Sequence, residues 1–253
     1  MARTAKTGAS ETEAAESAPA RRRGQTNMVE QAYERLENLL IVCELRPGSV
    51  TSIQDLQALS GFGRTPVHQA VNRLAADTLL SVQARQGIRI APIDLTRERM
   101  LLRLRRDLER FVLRLASERI AGTHRTQLRH LARGLRERRE TMTIGDFNIF
   151  DRRLDRLVLL AAGEPFLEHT LRPLHTIFRR IGWIHHHHVG QSSLLATIDC
   201  HTAVIDAVAA QAVEPALEAF DELIGFVERM LDAIEREVDP ALLDCSVEPL
   251  PAA

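Results

Sequence analysis

The sequence predicts a mainly α protein in two parts: three short helices closed by a small β-hairpin, then an all-α antiparallel helical bundle. Two observations predict this. Apolar residues recur at three- and four-residue spacing over 28–40 and again from about Leu95 onward. Between these stretches, at 80–90, the apolar period falls to two, the signature of strands. No pattern repeats at a fixed longer period, which excludes a solenoid.

The first helix is carried by Val29, Ala32, Tyr33, Leu36, Leu39 and Leu40, and Arg46-Pro47-Gly48 stops it. Ser52-Ile53-Gln54-Asp55 has the form of a capping box, so a second helix should run from Ser52 to about Leu59. After the turn Ser60-Gly61-Phe62-Gly63, Thr65-Pro66 reads as an N-cap with proline at the first helical position. Val67, Ala70, Val71 and Leu74 make the buried stripe of that third helix. Leu80, Val82 and Ala84 then alternate with polar residues, Arg85-Gln86-Gly87 turns, and Ile88 and Ile90 alternate again. Three helices followed by such a hairpin is the layout of a winged helix-turn-helix, expected over 28–92. Bundle helices are expected near 95–120, 124–140, 143–162, 166–184, 193–212 and 215–237, within a second domain over 93–240. Residues 1–27 lack apolar periodicity and read as a disordered tail, and 241–253 as a flexible one.

Composition narrows the function. The chain has 253 residues, 33 basic against 34 acidic, and arginine supplies all the basic residues but Lys6. A net charge of −1 argues against a nucleic-acid-coating protein, and 4% aromatics against a base-stacking surface. Cys43, Cys200 and Cys245 are too far apart for a disulfide framework or zinc ribbon, which implies a reducing compartment. No apolar signal core or membrane span is visible, so a cytoplasmic protein without a membrane partner is expected. Charge is sorted in the second domain: 14 arginines against 5 acidic residues over Arg97–Arg139, then 13 acidic against 2 basic from Asp199 onward. These helices are expected to face each other or a second subunit; a basic surface assisting DNA binding is the alternative. The Arg21-Arg22-Arg23 triplet reads as a solvated charge run or a phosphate contact.

The run from Leu45 to Ile90 resembles the DNA-binding domain of GntR-family bacterial transcriptional regulators. Leu45-Arg46-Pro47-Gly48, the segment Gly63-Arg64-Thr65-Pro66-Val67-His68-Gln69-Ala70-Val71, and Gly87 carry the resemblance. The helical remainder is similar to the effector domain of the FadR/FCD subfamily. The resemblance implies DNA contacts by Gln54, Arg64, Thr65, His68, Arg85 and Gly87. Arg64 is the residue expected to read a base, since a guanidinium can bond guanine O6 and N7 together. His68 stands where the family usually has a second arginine, so the operator should differ at the position it reads. A homodimer on a two-fold symmetric operator, responding to a small-molecule effector, is also implied.

Many FCD domains hold a divalent metal with one Asp and three His. Carried onto this chain, the positions are Asp151, Asp155 in place of the first His, His201, and Leu223, which cannot bind metal. Asp151, Asp155 and His201 are thus an incomplete set for Zn, Ni or Mn, and no cofactor is assigned. The paired carboxylates need a cation, which could instead be Arg152, Arg156 or an arginine of the basic helices. Helical spacing points His201 inward with Ile198, Ile205 and Val208. Arg105, Asp151 and His201 are the candidate effector-binding residues, Arg105 for an acid's carboxylate or for an ion pair with an acidic helix. His185-His186-His187-His188 cannot all face one site, since successive helical residues turn by about 100°. The run is expected to cap a helix at the surface or pocket mouth, or to supply one replacement ligand.

The sequence therefore favours a ligand-responsive DNA-binding repressor, not an enzyme. A metal-assisted hydrolase using Asp151, Asp155 and His201, or an adaptor that has lost its operator contacts, are the alternatives.

Overall fold

A computed structural model describes residues 27–190 and 193–249. The expected tail over 1–26, with its arginine triplet, and residues 250–253 lie outside the described residues. The described residues divide into two compact units, one of 27–39 and 50–90, the other drawn from 40–49 and 91–249. Residues 40–49 belong to the second unit, where the Cys245 amide donates to the Pro47 carbonyl at 2.9 Å.

The first unit contains most of helix α1 (27–41), then β1 (Val50–Thr51), α2 (Ile53–Ser60), α3 (Arg64–Ala76), β2 (Leu80–Gln83) and β3 (Gly87–Ile90). Ser52 and Asp55 form the expected capping box, and Gly61 ends α2 in the left-handed conformation. Val67, Ala70, Val71 and Leu74 of α3 pack in the core with Tyr33, Leu36 and Leu56. Tyr33 donates to Asp77 at 2.9 Å, and Arg73 lies over the Tyr33 ring while bonding Glu30 at 2.7 Å. These contacts fix α1 against the far end of α3. The sheet is antiparallel in the order β1-β3-β2, so the expected hairpin gains a third strand. Two residues are too few to show a period, which is why β1 is silent in the sequence.

The second unit contains α4 (Leu95–Arg119), α5 (Gly122–Glu137), α6 (Ile144–Ala162), α7 (Pro165–His188), α8 (Leu194–Ala209), α9 (Val213–Glu237) and α10 (Pro240–Leu243). The sorted charges face each other. Arg99 of α4 bonds Asp232 and Glu235 of α9 at 2.6 Å each, and Arg106 and Arg110 reach Asp221. Arg136 in the last turn of α5 and Arg139 just after it pair with Asp206 and Asp199 of α8. Most of these pairs are exposed and worth little individually; their alignment along facing helices selects the pairing. The stretch after 240, expected to be flexible, forms α10 through residue 243. Leu243 is buried and its carbonyl accepts from the Ile93 amide at 2.8 Å.

Candidate functional site

In the first unit, chemistry gathers at the start of α3. The helix begins at Arg64, not after Thr65 as expected, and its N-cap is Gly63, which has no side chain to bond the first amides. Proline at the third helical position is tolerated because amides of the first turn lack intrahelical partners. The turn is therefore uncapped, with partial positive charge facing outward. Arg64, Thr65 and His68 are all exposed beside it. Asn72 and His68 Nδ1 are 3.3 Å apart, which leaves the other ring nitrogen outward. Gln54 is exposed in the first turn of α2.

Arg85 occupies the hairpin turn in a left-handed conformation (φ 65°), with its side chain exposed. Gly87 opens β3 rather than standing at the tip. Its φ is +107°, and a Cβ there would lie 2.7 Å from the Thr51 carbonyl oxygen. Glycine is thus required by the close approach of β1, the strand the sequence did not reveal.

In the second unit, Arg105, Asp151, His201 and Leu223 line a common cavity of about 60 Å³ between α4, α6, α7, α8 and α9. An adjoining cavity of about 30 Å³ shares these four residues and adds Glu109 and Asp155. Aromatic and aliphatic side chains (Phe147, Phe226, Val227, Met230) complete the wall. His201 is buried as predicted, edge-on to Phe147 with ring centroids 4.9 Å apart. Its Nδ1 lies 2.7 Å from the Thr197 carbonyl, which can only accept, so Nδ1 carries a proton. Nε2 then faces Asp151 Oδ1 at 3.3 Å.

An ionic network runs behind this wall. Arg179 of α7 donates from Nε to Asp151 Oδ2 at 2.8 Å and from a terminal nitrogen to Asp155. His175, one turn earlier, stands between two carboxylates, with Nδ1 3.0 Å from Asp155 and Nε2 2.9 Å from Glu109. Glu109 in turn accepts from Arg105 Nε at 2.6 Å. Burial opposes ionisation of Asp151, but Arg179, His201 and Arg105 outweigh it and hold its carboxyl far below the usual range. Glu109 is likewise buried yet brought down to about 2 by Arg105 and His175. Asp155 moves the other way: burial dominates, with Asp151 and Glu109 adding to it, and raises it despite His175 and Arg179.

The cation between the paired carboxylates is therefore neither Arg152 nor Arg156 but Arg179, which the sequence reading did not single out. Its signal was present: His175 and Arg179 are four residues apart beside the apolar stripe Leu171, Leu174, Phe178 and Ile181. The same stripe extends α7 through His188, so the histidine run forms its last turn. His185 and His186 reach the larger cavity, while His187 stacks on Trp183 at 4.0 Å and His188 is exposed.

The donors present do not fit a divalent metal. Asp151 and Asp155 oxygens are taken by a guanidinium, and the fourth position is Leu223, an apolar wall residue. Among the described residues, no cluster of three or more His, Cys, Asp or Glu side chains has metal-holding geometry.

Residues 28–90 match the family model described as bacterial regulatory proteins, gntR family, and residues 100–226 match the FCD domain. No curated protein matches the sequence. Among solved structures, McbR/YncC of E. coli is 20% identical, covering 81% of this chain and 97% of its own, with a TM-score of 0.71. A GntR transcriptional regulator from Rhodococcus sp. RHA1 is 16% identical over 81% and 98% of the two chains, at TM-score 0.61. Lar of Listeria monocytogenes, described as controlling expression of the agr system, is 13% identical over 81% and 96%, at TM-score 0.52. At these identities the likeness is one of fold.

Proposed function

Because this chain belongs to the GntR family of bacterial transcriptional regulators and carries an FCD effector domain, we propose that it is a cytoplasmic, homodimeric repressor whose operator affinity is set by a small organic acid bound in the bundle. The observation that carries the reading is the uncapped first turn of α3, with Arg64, Thr65 and His68 exposed beside it. Free amides at a helix N-terminus suit phosphate, and in helix-turn-helix proteins this end of the second helix enters the major groove. Arg64 is assigned to base readout, Thr65 and Gln54 to backbone contacts, and His68 to a base or phosphate. Arg85 and Gly87 bring the wing to the neighbouring groove, Arg85 with a charge and Gly87 by keeping the hairpin close to β1. Two copies on a two-fold symmetric operator would double these contacts.

Arg105, Asp151 and His201 are assigned to the effector. A ligand with unequal affinity for two arrangements of the dimer shifts the population between them, and so changes operator affinity. The hydrolase alternative is disfavoured, because Arg179 and His201 occupy the carboxylate that would have to act as ligand or base. No helix among the described residues is long and apolar enough to cross a membrane.

The test is fluorescence anisotropy with duplexes selected from genomic fragments, at two salt concentrations. Binding should weaken steeply with salt, and Arg64→Ala should lose at least about tenfold in specific affinity, the worth of one guanine contact. Equal affinity for selected and scrambled duplexes would reject the reading.

A further inference from the structure

The FCD resemblance implies a metal at the centre of the pocket, and this chain has something else there. Arg179 is buried and bridges Asp151 and Asp155, the two carboxylates at the first two ligand positions. Its fixed positive charge already satisfies the need for a cation that two close carboxylates create. A divalent ion entering the site would have to expel a buried guanidinium and strip its hydrogen bonds. Even then it would find two carboxylates and one imidazole, with Leu223 where a fourth donor belongs.

An acidic effector needs a cationic group that faces the cavity with hydrogen-bonding capacity to spare, and Arg105 offers one. Arg105 is buried, and its Nε is held by Glu109 at 2.6 Å while its guanidinium lies 5.2 Å from the Phe178 ring centroid. Neither terminal nitrogen has a hydrogen-bond partner among the described residues, and Arg105 lines the larger cavity. A guanidinium anchored through Nε presents its two outer N–H groups as a fork matched to a carboxylate. Asp151, on the same wall, does not repel such a ligand freely, because Arg179 covers one of its oxygens and His201 faces the other.

We propose that Arg179 has replaced the divalent metal in this effector domain, and that the outer edge of Arg105 binds the carboxylate of a small monocarboxylic acid. Resting on the reading of the cavity as the effector site, this names the ligand's class. The cavity, about 60 Å³, is small, which favours a short acid over a long acyl compound. Leu223, Phe226, Val227 and Met230 give the far wall a surface for a short apolar tail.

The experiment uses the full-length chain in thermal denaturation, with metal content measured after dialysis. The probes are Zn²⁺, Ni²⁺ and Mn²⁺ alone, acetate and butyrate with and without EDTA, and butylamine as the cationic control. Wild type should retain no metal and gain no Tm from the three ions. Butyrate at saturation should raise Tm by about 2–4 °C equally in EDTA, butylamine should not, and Arg105→Gln should abolish the shift. Leu223→His supplies the missing donor, yet with Arg179 in place it should still gain no metal-dependent shift. Near-stoichiometric metal in wild type, a butyrate shift that requires metal, or a gain of metal binding in Leu223→His would overturn the replacement. No shift from either acid in wild type would overturn the ligand class. A butyrate shift with unchanged affinity for a bound duplex would sustain this inference while rejecting effector control of DNA binding.

Discussion

Two neighbouring arginines on α7 live in opposite circumstances. Arg179 is bonded to Asp151 and Asp155, within a network that continues through His175 and Glu109 to Arg105. Arg180 is equally buried, and one of its terminal nitrogens donates to the Ala91 carbonyl at 2.8 Å. Among the described residues its Nε and other terminal nitrogen have no hydrogen-bond partner, and neither does Oε2 of buried Glu98 nearby. Burial pushes the Glu98 carboxyl up to about 7, with Arg97 and Arg180 offsetting only part of that. The same burial lowers Arg180, which Cys43 and Glu98 partly counter. Burying a charge costs free energy by itself; the net effect depends on whether each charge meets a partner at bonding distance.

Removing Arg179 should have the largest effect. Arg179→Ala leaves Asp151 and Asp155 buried without their cation, and the second unit should lose about 3–5 kcal/mol in urea denaturation. A loss under about 1 kcal/mol would mean that the network contributes no more than a surface pair. Glu98→Gln should act in the opposite sense. Folded Glu98 titrates near 7 against 4.5 for the free side chain, so the folded protein binds the extra proton between those values. Stability is therefore lost as pH rises from about 4.5 through 7, up to roughly 3 kcal/mol in all. Removing the titrating carboxyl should flatten this dependence and raise Tm at pH 8 relative to wild type. Denaturation of both proteins from pH 5 to 8.5 checks it, and parallel pH profiles would refute it. The smallest effect belongs to the facing charged helices: Arg99→Ala should cost less than about 1 kcal/mol and less still in 1 M salt.

How much was legible in the sequence follows the same division. The α2 capping box, the stripe of α3 and the inward turn of His201 are set by local spacing, and spacing is visible in a linear sequence. Gly63 as the cap of α3 was missed because Thr65-Pro66 imitates a cap at nearly the same place. The partner of Asp151 and Asp155 was missed because it lies 28 and 24 residues away, on another helix. Composition shows that arginines abound but not which one turns inward. The structural reason for Gly87, the carbonyl of Thr51, was not legible, because it depends on a strand too short to leave a pattern. Local chemistry is written in the sequence; the choice of ionic partner is made by packing.

The proposed function is that of a DNA-binding regulator whose pocket responds to a small acid without metal. Anisotropy of a selected operator duplex, titrated with protein in EDTA, with and without butyrate, tests it most directly. Specific binding should survive EDTA and change at least about fivefold with butyrate, with no butyrate response in Arg105→Gln. Binding that EDTA abolishes, or that ignores butyrate and acetate alike, would contradict it.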